Sequence, residues 1–204
     1  LRKIIDIFSY LFHPVLMPTI TTGFYFYITR YYYPVQELLI VLFQVFVTTF
    51  LLPVSVYLFL KSTGVLKSGI MVKRNTERLL PIMMNVLLIG FLVFVILKSN
   101  PNLELKKYLI AYSFSYIIAF GFVMLKKKVS IHMLSFVAMI PFVMNTAIAV
   151  KHFPLLTLSL VILLTGIVAS SRLSLRAHTH TEIVQGMIIG LIPQLAIFYL
   201  GSLF

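Results

Sequence analysis

Three short polar stretches hold most of the residues able to do chemistry. The last runs Ser171-Arg172, five residues, His178, three residues, Glu182. An arginine offers two parallel N–H donors to a pair of anionic oxygens. A neutral imidazole is a nucleophile and a carrier of protons near neutral pH. A carboxylate four residues after a histidine is one helical turn away, and can hold the ring's second nitrogen if the segment is helical. The middle stretch holds Ser130-Ile131-His132, a hydroxyl beside a second imidazole. The first holds Lys67 and, seven positions on, Arg74, with Arg78 behind it. Each residue also has a plain structural role. Thr179-x-x-Glu182 fits a capping box that opens a helix. Arg172 can anchor at lipid head groups on its aliphatic stem. His132 fits the first turn of a helix. His178 and His180, with no acid or cysteine cluster, make a poor metal site. His13 and His152 read as interfacial residues with no part in the chemistry.

The elements that must carry these stretches are membrane spans. Sixty per cent of the 204 residues are apolar, 11% are charged, and mean hydropathy is +1.03. A water-soluble domain of this length could not hide so much apolar surface, whereas a bilayer solvates it. There is no cysteine, which excludes disulfides and thiolate metal sites. The net charge of +12 falls between apolar runs, where it suits anionic lipid rather than nucleic acid. Runs of ~20 apolar residues predict about seven spans in an all-α transmembrane bundle. They lie near 15–33, 36–60, 79–97, 108–125, 131–150, 154–170 and 183–204. Thr19, Thr21, Thr22 and Arg30 interrupt the first, and Pro53 predicts a kink in the second. Residues 1–13 read as an amphipathic interfacial segment with no cleavage site after it, so no cleavable signal is expected. The whole chain reads as one integral membrane domain. Counting crossings puts residues 61–78, 126–130 and 171–182 on one membrane face, together with the N-terminus. Parity alone therefore gathers the three polar stretches.

The order and spacing of these stretches resemble the type 2 phosphatidic acid phosphatase superfamily of membrane lipid phosphatases. Its pattern is Lys-x6-Arg-Pro, then Pro-Ser-Gly-His, then Ser-Arg-x5-His-x3-Asp. The resemblance covers residues 67–182. Asn75 replaces the first motif's proline, and Arg78 followed by Pro81 offers another alignment. Val129 and Ile131 replace the proline and glycine of the second motif, and Glu182 replaces the final aspartate. The resemblance implies a phosphatase of a lipid phosphate or isoprenoid diphosphate that needs neither metal nor cofactor. It implies that His178 attacks phosphorus to give a phosphohistidine, that Glu182 fixes its tautomer, and that His132 protonates the leaving oxygen. Lys67, Arg74 or Arg78, Ser130 and Arg172 would hold the phosphate. Phosphatidic acid, phosphatidylglycerol phosphate, undecaprenyl diphosphate and lipid A phosphate all stay open as substrates, and nothing sets the oligomeric state.

Two rival readings remain. One is a binding or scaffold protein that kept the fold and lost activity, which the altered middle motif favours. The other is a small transporter, against which every acid (Asp6, Glu37, Glu77, Glu104, Glu182) falls near a span end. The expected location is a bacterial cytoplasmic membrane. Of the 17 lysines and arginines, only Arg30, Lys98, Lys106, Lys107 and Lys151 fall opposite the motif face. The positive-inside rule then puts the motif face in the cytoplasm, even with Lys67, Arg74, Arg78 and Arg172 set aside. Many bacterial relatives in the resembled family work from the other side. The cations give a first test. Arg172→Lys should lower turnover of a lipid phosphate at least about tenfold more than Arg176→Lys, because only Arg172 is assigned a two-point phosphate contact. Equal small losses in a phosphate-release assay would make Arg172 a head-group anchor.

Overall fold

The computed structural model describes residues 12–64, 75–100, 102–151 and 154–201. Among these residues the secondary structure is helical, with no strand. A short 3-10 turn, Pro14–Leu16, leads into α1 (Met17–Thr29). Then come α2 (Val35–Ser62), α3 (Asn75–Phe91, continued by a π turn over Leu92–Ile96), α4 (Leu103–Met124), α5 (Ile131–Ala149), α6 (Leu155–Ser174) and α7 (His180–Gly201). Six of the seven, α2 to α7, are long and apolar enough to cross a membrane. The chain is thus an all-α integral membrane bundle. Large apolar side chains such as Leu39, Phe43, Leu87, Phe94 and Leu163 are exposed, as they must be where lipid is the solvent.

The short helix is α1. Its 13 residues rise only about 20 Å, less than the ~30 Å of a hydrocarbon core. Together with the residues that flank it, from His13 to Tyr32, it still runs alongside α5 from one end to the other. At its start His13 packs against His132, and beyond its end the Tyr32 hydroxyl donates to the Val150 carbonyl at 3.1 Å. Its threonines are tolerated because the hydroxyls of Thr21, Thr22 and Thr29 donate to the carbonyls of Met17, Pro18 and Tyr25 at 2.7–2.8 Å. In α2 the irregularity expected at Pro53 takes the form of a π turn over Val47–Leu51, just upstream. Leu52 N donates five residues back, to the Val47 carbonyl. That local change accommodates a proline that has no N–H to continue the ladder.

The central helix is α5. Its span is 72% buried, against 28–44% for the other five long spans, and it packs on α1, α4, α6 and α7. The closest approach is to α7. A Cβ at Gly186 would lie 2.5 Å from the Ser130 carbonyl oxygen, and one at Gly190 would overlap the Leu134 carbonyl. The Gly-x-x-x-Gly spacing therefore lets two backbones meet. A column of hydroxyls joins α1 to its neighbours. Tyr25 donates to Asn102 at 3.1 Å, Tyr108 to Thr21 at 3.1 Å, and Tyr112 to the Pro14 carbonyl at 3.3 Å. The Tyr112 hydroxyl also meets Ser135 at 2.7 Å and Tyr116 at 3.2 Å. These pairs make α1 and α4 antiparallel. The start of α1, the start of α5, the end of α6 and the start of α7 share one end of the bundle. A six-residue connection between Ile96 and Leu103 makes α3 antiparallel to α4 and brings the start of α3 to that same end.

Ser99 is exposed in the turn after α3 and reports on the end opposite the motif stretches. In intact cells an impermeant thiol reagent should label Ser99→Cys and not Thr63→Cys, an exposed position at the end of α2. The reverse pattern would put the motif end outside the cytoplasm.

Candidate active site

The chain turns sharply between α6 and α7, and that turn sets the five-residue spacing between Arg172 and His178. After Ser174, Arg176 adopts a left-handed conformation with φ of 49°. Arg176 N donates to the Leu173 carbonyl at 2.9 Å and Ala177 N to the Arg172 carbonyl at 3.1 Å. This is a two-bond helix C-cap built without glycine, a strain of about 1 kcal/mol. It brings His178 back to the bundle end from which Arg172 emerges.

The cap of α7 and the histidine's partner are one group. Thr179 Oγ1 accepts from Glu182 N at 3.3 Å, while Glu182 Oε2 accepts from Thr179 N at 3.3 Å, a reciprocal capping box. The same Oε2 lies 2.7 Å from His178 Nδ1. Structural and chemical readings of Glu182 thus hold together. A proton on Nδ1 shared with the carboxylate leaves the Nε2 lone pair as the nucleophilic position.

The middle stretch is joined to this loop by backbone. Ser130 N donates to the Glu182 carbonyl at 3.2 Å. Ser130 occupies the N-cap position of α5, yet its side chain does not cap the helix. Its buried hydroxyl has no hydrogen-bond partner among the described residues. The first N–H groups of α5 and the positive end of its dipole therefore lie beside a buried hydroxyl donor, an arrangement suited to an anion. His132, Arg172 and His178 are all buried, and Ser130 is wholly so. Val129 is buried in the apolar core, and Ile131 packs against it, which accounts for apolar residues on either side of Ser130.

Of the residues read from sequence, Ser130, His132, Arg172, His178 and Glu182 therefore lie at one end of the bundle. Lys67 and Arg74 fall outside the described residues, as does His152. Arg78 belongs to the first turns of α3, whose start is at that end. His180 is exposed, and no group of three or more His, Asp and Glu able to hold a metal occurs among the described residues. His13, read from the sequence as interfacial, has its ring edge-on to His132, with centroids 5.7 Å apart. Burial and, after it, the Arg172 charge lower the His13 pKa to about 4. In the sequence the only pointers were the helix-start proline at Pro14 and the parity that puts the N-terminus on the motif face. No family model, curated protein or solved structure matches this chain.

The His13 shift has a stability consequence. The folded pKa lies below the ordinary 6.5, so the unfolded chain takes up a proton first as pH falls. The contribution is complete above pH 6.5 and is lost as pH falls toward 4. Relative to His13→Gln, which cannot titrate, the wild-type thermal midpoint in detergent should fall across that window. A constant difference between the two proteins would show that His13 titrates normally.

Proposed function

We propose that this chain is a phosphatase of a membrane lipid phosphate or isoprenoid diphosphate, of the type 2 phosphatidic acid phosphatase kind, needing no metal. The observation that carries this reading is the His178 Nδ1–Glu182 contact at 2.7 Å, made by a buried imidazole at the bundle end where the buried Arg172 also lies. The Ser-Arg-x5-His-x3-acid spacing supports it, and so does the uncapped start of α5 with its buried Ser130 hydroxyl. A binding protein needs only anion donors, and a histidine whose Nδ1 is held by a carboxylate offers nucleophilic chemistry beyond that.

In this mechanism Arg172 and Ser130 hold non-bridging oxygens, with Lys67 and Arg74 or Arg78 adding positive charge. His178 Nε2 attacks phosphorus as the bond to the leaving oxygen breaks, and Glu182 stabilises the charge that develops on the ring. His132 gives its proton to the leaving oxygen. Water then attacks the phosphohistidine, His132 takes back a proton, and inorganic phosphate leaves. The substrate's tails stay in lipid, since the cluster lies at the end of membrane-spanning helices. The proposed setting is a bacterial cytoplasmic membrane.

Purified protein in detergent with EDTA should release phosphate from one or more of phosphatidic acid, phosphatidylglycerol phosphate and undecaprenyl diphosphate. His178→Ala should reduce release by about 10³-fold or more while leaving the size-exclusion profile unchanged. Wild-type turnover in His178→Ala would remove the assigned nucleophile. His132→Ala should be milder on a substrate with a good leaving group, because protonation then matters less.

A further inference from the structure

His13 enters the site from outside all three motif stretches, on the segment that precedes α1. It is held there by several contacts. Its Nδ1 accepts from Val15 N at 3.4 Å, and its carbonyl accepts from Leu16 N at 2.9 Å. The next residue, Pro14, is buried, and its carbonyl accepts from the Tyr112 hydroxyl of α4. The ring therefore has a fixed place, with His132 at 5.7 Å between centroids and Arg172 close enough for its charge to act on the imidazole.

We propose that His13 is a further phosphate-binding residue, donating an Nε2–H hydrogen bond to a non-bridging oxygen of the substrate phosphate beside Arg172 and His132. The inference rests on the phosphatase reading for the identity of the bound anion. Two observations give it its chemistry. With Nδ1 engaged as an acceptor by the backbone, the ring proton of the neutral form sits on Nε2, the far side of the imidazole. Burial and Arg172 keep the ring uncharged near neutral pH, so it remains a single-proton donor of fixed direction. A neutral donor adds a bond to the anion without adding charge beside His132, whose own proton the reaction uses. The bond would run to an ionised acceptor, which makes it worth more than a neutral pair.

The test separates the two nitrogens. Orthovanadate, a phosphate mimic, is titrated into detergent-solubilised protein by calorimetry, and kcat/KM for short-chain phosphatidic acid is measured in parallel. His13→Ala should weaken vanadate binding and lower kcat/KM by about tenfold. His13→Gln, whose amide nitrogen falls near Nε2, should recover most of the binding. His13→Asn, whose carbonyl falls near Nδ1 and can restore only the backbone contact, should behave like His13→Ala. Size-exclusion profile and thermal midpoint check that each variant is folded. Any other order overturns the assignment: no loss in His13→Ala, rescue by His13→Asn, or equal loss in all three. A wild type that binds vanadate but hydrolyses no lipid phosphate would sink the phosphatase reading, while the binding data still decide on His13. A wild type that does not bind vanadate would sink both.

Discussion

The site depends on how closely α5 and α7 approach. Two glycines one helical turn apart let the α7 backbone reach the carbonyls of Ser130 and Leu134, where any side chain would intrude. In lipid there is no hydrophobic force to draw helices together, so such contact surfaces set the packing. The approach positions Ser130 N to donate to the Glu182 carbonyl, which fixes the start of α5 against the loop that carries His178. Two stretches fifty residues apart in sequence thereby become one structure, and their polar groups share one bundle end.

A second constraint is that buried polar atoms need partners inside the protein. Tyr25, Tyr108 and Tyr112 sit within the core, and leaving any one hydroxyl unsatisfied would cost about 1–3 kcal/mol. Their partners are Asn102, Thr21, Ser135 and the Pro14 carbonyl. This column does more than satisfy donors. It aligns the short α1 with α4 and α5, and it holds the Pro14 turn at the end where His132 lies. The place of His13 beside that imidazole follows from a tyrosine on a distant helix.

The loop between α6 and α7 and the start of α5 reuse structural groups. Glu182 caps α7 and holds His178 with one carboxylate, so its geometry is fixed twice. Ser130 stands at the cap position of α5 without capping it, and its hydroxyl and the helix's first N–H groups are not consumed by each other. Arg176 accepts a left-handed backbone so that the chain can reverse within one turn. These three features share the end where the candidate residues gather.

The sequence by itself determined the helical membrane bundle. Lengths of apolar run and the polar breaks between them report directly on bilayer thickness, so α2 to α7 match the expected spans closely. It also determined which end carries the motif stretches, because helices that cross in turn must alternate. The four-residue spacing pointed to the His178–Glu182 pairing on the premise of a helical segment, whereas His178 lies before α7 and the contact is made across the helix's N-cap. Tertiary structure decided the rest. Where the short α1 sits along the bundle depends on hydroxyl pairs with α4, which no local pattern encodes. The bond between Ser130 and Glu182 depends on two glycines meeting two particular carbonyls across an interface. His13 joined the cluster because its neighbours are set by packing among α1, α4 and α5, and a lone histidine outside any motif carries no sign of what it will face.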